Sequence, residues 1–272
     1  MSRSGPVFDP HALSRNRSRA QPDALFLHHA ARDEIQDRLS MVNRSFTDAV
    51  IVTPFADIWR EVFPDAICIP DQDTLDLGPD SFDLVIHAMA LHWAEDPVGQ
   101  IIQCRRALRA DGLFLCVSLG GQTLYELRAV LAQAEAEITG GLSPRIAPMA
   151  ELRDLGGLLQ RGGFALPVAD SVPLNVEYTD SFALMHDLRA MGEGNALSGR
   201  LRHPSRRAVM QRANEIYQTH FPGQDGRIRA TFDLICLTGW APDDSQPQPL
   251  RPGSAQTRLA DALKTTETKL PD

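Results

Sequence analysis

Several side chains in this 272-residue chain are of types and at spacings that could do chemistry. His92, followed by Trp93, offers an imidazole that can exchange a proton near neutral pH beside a flat ring. Tyr125, Glu126 and Arg128 crowd one turn of a predicted helix, with Thr123 just ahead of it. Glu193 and Asn195 alternate with glycines in Gly192–Glu193–Gly194–Asn195, where polar loop side chains can touch a substrate. Each has a plain structural counterpart. His92 can be a packed or capping ring, Trp93 a core residue, Glu126 and Arg128 a salt-bridged helix face. The Gly–Glu–Gly–Asn run can be only a helix terminus, and Gly120–Gly121 either a ligand cradle or a tight strand-to-helix turn. Other chemistries have no foothold: the sequence holds no His-Glu-x-x-His, Gly-x-Ser-x-Gly or Gly-x-x-x-x-Gly-Lys, and no His/Cys cluster with metal spacing.

The elements that must position these residues alternate. Residues 23–42 carry a helical apolar stripe, Leu25, Ile35, Leu39 and Val42, with Asp23 as N-cap. Residues 49–53 are a β-branched strand ended by Pro54; a short helix, 55–63, and a strand, 66–69, follow. After the acidic loop 71–80, residues 83–91 form a strand that is apolar almost throughout, as parallel strands covered on both faces are. A helix over 95–109, a turn at Asp111–Gly112 and a strand over 113–119 come next. The following helix carries the stripe Leu124, Leu127, Leu131, Ala134 and Ile138. Helices are expected over 150–161, 180–191 and 205–220, an extended run over 169–178, and a last strand over 230–240. Alternation of this kind implies an α/β, doubly wound, mainly parallel sheet. Ligands of such sheets bind at the carboxyl ends of the strands, so the loops after Thr53, Asp71, His92 and Gly120 should converge.

Composition bounds the rest. The formal net charge of −8, with no basic stripe, argues against nucleic acid as partner. No apolar run is long enough to span a bilayer, so no transmembrane segment is expected. Arg15, Arg17 and Arg19 beside serines faintly resemble a transit peptide, but Asp9 and the nearby prolines speak against one. The four cysteines are scattered, which predicts buried reduced thiols and a cytoplasmic protein.

Three stretches carry a resemblance: Phe82–Asp83–Leu84–Val85, Leu91–His92–Trp93, and Arg106–Ala107–Leu108–Arg109–Ala110–Asp111–Gly112. They resemble the second half of a class I S-adenosylmethionine-dependent methyltransferase domain. Further blocks follow in Gly120–Arg128, Gly140–Pro144, Asp154–Gly156, Met191–Ala196 and Thr238–Trp240. Together they are similar to the methyltransferase-fold family of the respiratory complex I assembly factor described as a protein-arginine hydroxylase. The resemblance covers most of residues 8–263, strongly from Asp71 to Trp240 and weakly over 44–69. It implies a seven-stranded sheet whose last strand is antiparallel, S-adenosylmethionine as cofactor, and a protein arginine of a complex I subunit as substrate. Its cofactor contacts fall on Asp71 with Gln72, and on backbone near Thr53 and Ala90. Substrate contacts fall on Thr123, Glu193 and Asn195, and catalytic roles on His92, Tyr125, Glu126 and Arg128.

One departure is sharp. The glycine-rich loop that lets the backbone of such a domain approach its ligand is absent, because no glycine occurs between Gly5 and Gly78. Here Val50–Ile51–Val52–Thr53 runs into Pro54–Phe55, and the chain is short by about one strand–helix unit. The acid that would grip the ribose hydroxyls after the second strand has no clear counterpart; Asp71 matches an acid of the third. Two readings remain: an S-adenosylmethionine-dependent enzyme acting on a protein side chain, or a non-catalytic assembly factor that has lost its cofactor. The expected organisation is an irregular arm (1–22), the methyltransferase-like domain (23–240) with a helical insertion between residues 140 and 225, and a proline-rich tail (241–272).

Overall fold

A computed structural model of the chain describes residues 5–247 and 259–266. Its elements are α1 (Pro10–Arg17), α2 (Phe26–Met41), β1 (Ala49–Val52), α3 (Ala56–Arg60), β2 (Ile67–Ile69), β3 (Phe82–Ala88), α4 (Pro97–Ala107), β4 (Leu108–Gly120), α5 (Tyr125–Thr139), α6 (Leu152–Arg161), β5 (Ala165–Tyr178), α7 (Ser181–Ala190), α8 (Arg207–His220) and β6 (Ile228–Trp240). These belong to one unit ending at Pro242; a second begins at Asp243 and holds α9 (Leu259–Leu263). No described helix is long and apolar enough to cross a membrane.

The sheet has six strands in the order β2-β1-β3-β4-β6-β5. β1, β2, β3 and β4 run parallel, and β6 lies antiparallel between β4 and β5. This is the doubly wound α/β sheet with one strand fewer than the resemblance implied. Alternate side chains of the central strands enter opposite layers, as the period of two requires. Leu84, Ile86 and Ala88 face the layer holding α2, α5 and α8, while Val85, Phe114 and Cys116 face α4 and α6. Cys104, Cys116 and Cys236 are buried and Cys68 half-buried, all as free thiols.

Four expectations need correction. Residues 10–17 of the arm form a helix: Asp9 caps it by accepting from Ala12 N at 3.1 Å, and Pro10 pre-sets its first turn. The arm is then tied to residues 190–198 by Gln21 N to Ala190 O, Asp9 N to Ala196 O and Asn16 Nδ2 to Gly194 O, at 2.8–2.9 Å. The extended run expected over 169–178 begins earlier, at Ala165, because β5 is a 14-residue edge strand paired with β6 along its length. Asp23 lies in a short 3₁₀ turn ahead of α2 and does not cap it. Ile138, at the end of the α5 stripe, is exposed, while Leu127, Val130, Leu131 and Ala134 join the core.

Candidate functional site

The site is built where the parallel strands end. After β3 the chain reverses at Met89 (φ +51°), whose N–H is held by Val117 O at 2.8 Å. Ala90, buried, then opens a 3₁₀ turn, Leu91–Trp93. That turn drives His92 inward, leaving its side chain 2% exposed. Ser118 Oγ accepts from His92 N at 3.0 Å and lies 2.9 Å from Nδ1. Glu193, held ionised, can only accept, so Nε2–H donates to its Oε2 at 3.2 Å while Ser118 Oγ bonds the other ring nitrogen. Trp93 Nε1 donates to the same oxygen at 2.8 Å. Burial alone would raise the Glu193 carboxyl, but His92, His28 and Arg17 outweigh it and hold it at about 2. His92 and Glu193 are thus brought together, which gives His92 a partner within hydrogen-bond reach.

The glycines flanking Glu193 have a packing reason. Gly192 has φ +86°, and a Cβ there would meet Arg17 Cα of α1 at 3.2 Å. The close approach sets Arg17 beside the end of β2, where Nη1 donates to Asp71 Oδ1 at 2.9 Å with both side chains mostly buried. β2 lies directly beside β1, so Asp71 follows the strand where the resemblance placed the ribose-gripping acid. Its sequence match was to the third strand of the resembling family. Gln72 is exposed, and its carbonyl accepts from Gln100 Nε2 at 3.1 Å, whose amide oxygen lies 2.7 Å from His87 Nε2. Thr53 is buried; its hydroxyl accepts from Phe55 N at 3.3 Å and its own N–H bonds Ile69 O at 3.0 Å. Pro54 lies outside α3, which starts at Ala56 and is five residues long, so no helix N-terminus replaces the glycine loop.

A second cluster of expected site residues proves structural. Thr123 is fully buried, donates to Gly120 O at 2.7 Å and accepts from Asp233 N at 2.9 Å, closing the Gly120–Gly121 turn. A Cβ on Gly121 (φ +51°) would meet Asp233 Oδ2 at 2.5 Å, so that pair serves the turn. Glu126 is also fully buried, with its carboxylate taken by Thr231 Oγ at 2.6 Å and Thr231 N at 3.2 Å. Tyr125 packs edge-on against Phe221, and Arg128 is exposed, reaching Ala147 O at 3.4 Å. None of these four side chains meets His92 or Glu193; their catalytic and substrate assignments are not supported by this placement.

Between the arm, the end of β4, α5, α7 and residues 145–149 lies a cavity of about 550 Å³. Glu193 and Asn195 line it, and the side chain of Asn195 bridges Pro144 O and Leu197 N. Its floor is apolar, with Leu124, Leu127, Leu131, Met149 and Met185. Arg15, Arg19 and Arg189 line it too, exposed and without an ion-pair partner among the described residues. Arg145 is held by Glu135 at 2.9 Å. Sequence reasoning missed Arg17, His28 and Ser118. For His28 a signal existed: it shares a helical stripe with Ala31 and Ile35 and is fully buried with them.

Comparison with known proteins agrees with the sheet. Residues 38–116 match the family described as a methyltransferase domain. The chain is 34% identical over 235 residues to the arginine-hydroxylase NDUFAF5, mitochondrial, of Danio rerio, covering 86% of this chain and 73% of that protein. It is 36% identical over 203 residues to the Homo sapiens protein of the same name, spanning 74% of this chain but only 58% of the human one. A malonyl-[acyl-carrier protein] O-methyltransferase of Laribacter hongkongensis is 36% identical over 177 residues, 65% of this chain and 57% of that one. The cytoplasmic expectation is corrected by these relatives, since the proteins of Danio rerio, Rattus norvegicus and Homo sapiens are mitochondrial. Scattered reduced thiols are as much at home in the reducing interior of that compartment as in the cytoplasm. From its identity to the zebrafish protein over most of both chains, the chain belongs to the NDUFAF5 arginine-hydroxylase family.

Proposed function

We propose that the protein is an S-adenosylmethionine-dependent enzyme that modifies an arginine side chain of a protein substrate, a subunit of respiratory complex I. The observation that carries this reading is Glu193. It lines the cavity, it is held ionised, and its Oε1 has no bond among the described residues while Oε2 is taken by His92 and Trp93. A carboxylate fixed through one oxygen and open on the other suits a guanidinium, whose N–H donors can bond the open oxygen with a charge-assisted hydrogen bond. His92, backed by Ser118, holds the carboxylate in place and can move a proton between Glu193 and Ser118 Oγ. The arginines at the cavity wall suit a substrate segment with acidic residues flanking its arginine, and the floor suits apolar ones.

The residues where β1, β2 and β3 end fit a zwitterionic adenosyl ligand. Asp71, mostly buried after β2, can accept from ribose hydroxyls, and buried polar atoms of Arg17 and His28 lack partners among the described residues. When bound, S-adenosylmethionine supplies a sulfonium with an electrophilic methyl group.

The test is incubation of the purified protein with S-adenosylmethionine and peptides tiling complex I subunits, followed by mass spectrometry. An arginine heavier by one methylene with S-adenosylmethionine alone, or by one oxygen when dioxygen and a two-electron reductant are also supplied, absent with Glu193→Gln, is the expected result. No modified arginine in any peptide or intact subunit overturns the reading.

A further inference from the structure

A cofactor loop built on glycine works through backbone N–H groups that close approach leaves open to the ligand. In this chain the corresponding N–H groups are spent. Thr53 N–H bonds Ile69 O, Pro54 has none, and Phe55 N–H bonds the Thr53 hydroxyl. Thr53–Phe55 offers no main-chain donor, so beside these residues a ligand carboxylate is met by side chains.

Two side chains at that place are buried without their full set of partners. His28 of α2 is fully buried, its ring edge-on to Phe55 at 4.7 Å, and neither ring nitrogen has a hydrogen bond among the described residues. Arg17 of α1 spends only Nη1 on Asp71; Nε and Nη2 are buried and unpartnered among the described residues. Buried polar groups in folded proteins are nearly always paired, so three orphaned nitrogen donors in one place mark a missing acceptor. The two residues and Glu193 lie within electrostatic reach of one another. Burial, more than any neighbour, pushes His28 down to about 4, so at neutral pH its ring is uncharged, one nitrogen donating and one accepting. Nε and Nη2 of an arginine form the side of the guanidinium that binds a carboxylate with two parallel bonds.

We infer that Arg17 and His28 replace the missing glycine loop and hold the carboxylate of the methionine moiety of S-adenosylmethionine. The arm that carries Arg17 is therefore part of the cofactor site. This rests on the reading that the chain binds that cofactor, and the experiment separates the two.

Calorimetric titration compares S-adenosylhomocysteine, which carries the carboxylate, with 5′-methylthioadenosine, the same nucleoside thioether without it. Wild type binds the first more tightly. Arg17→Gln and His28→Leu each weaken S-adenosylhomocysteine by at least about tenfold and leave 5′-methylthioadenosine unchanged. Arg17→Lys, which keeps the charge but not the fork, falls between. Unchanged 5′-methylthioadenosine binding also reports that the variants are folded. Equal weakening of both ligands would mean that Arg17 only fastens Asp71, and no weakening would mean that neither residue touches the ligand; either overturns the inference. If wild type binds neither ligand, the cofactor reading itself fails and this inference falls with it.

Discussion

Glu193 Oε2 accepts from both His92 Nε2, at 3.2 Å, and Trp93 Nε1, at 2.8 Å, so one oxygen of a residue a hundred positions away fixes two consecutive rings. The opposite oxygen is left for the cavity. Glu193→Gln keeps an oxygen for Trp93 but removes the charge. Turnover on an arginine substrate should fall by about a hundredfold or more, with S-adenosylhomocysteine binding retained. Steady-state rates beside calorimetry check this; loss of ligand binding with unchanged turnover would contradict it.

His28 predicts a pH signature. Its folded value of about 4 is below the ordinary 6.5, so the unfolded chain takes up the proton first. The sign follows: stability is complete above 6.5 and declines as pH falls from 6.5 towards 4, by roughly 3 kcal/mol across the interval. Urea unfolding midpoints measured along this interval should fall for wild type. They should stay flatter for His28→Leu; parallel slopes would show that His28 is not buried neutral.

Glu126 offers the opposite expectation. Because its carboxylate only ties α5 to Thr231 of β6, Glu126→Gln should lower stability by about 1–3 kcal/mol. The rate per folded molecule should stay at wild type. A large rate loss with an unmoved unfolding midpoint would return Glu126 to catalysis.

The cavity and the cofactor site should separate by mutation. Met185 of α7 is half-buried and lines the cavity, away from Asp71 and Thr53. Met185→Trp should abolish capture of an arginine peptide in a fluorescence anisotropy titration and leave S-adenosylhomocysteine binding alone. Loss of both, or of neither, would show that the cavity is not the substrate's place.

What the sequence made legible was set by how much each element is determined locally. β1, β3 and β4 read as strands because both of their faces are buried, giving nearly unbroken apolar runs. β5 was legible only from Ala169. Ahead of it, Leu166 takes φ +49° and the register with β6 shifts between Ala165 and Val168, which breaks the alternation. α1 is polar on most of its faces and is held by its cap and by residues 190–198, so no apolar period announces it. Among the expected site residues, His92 sits in the turn after β3 and Glu193 in the loop after α7, places that local turn and loop chemistry sets. The burial of Thr123 and Glu126 was not legible, because it depends on β6, more than a hundred residues later. Arg17 was invisible for a similar reason: its partner Asp71 is 54 residues away.

The central claim is that this sheet still binds S-adenosylmethionine without a glycine loop. Calorimetric titration of the wild-type protein with S-adenosylhomocysteine tests it most directly. Saturable binding in the micromolar range is the predicted result; no heat of binding at millimolar ligand would contradict the account.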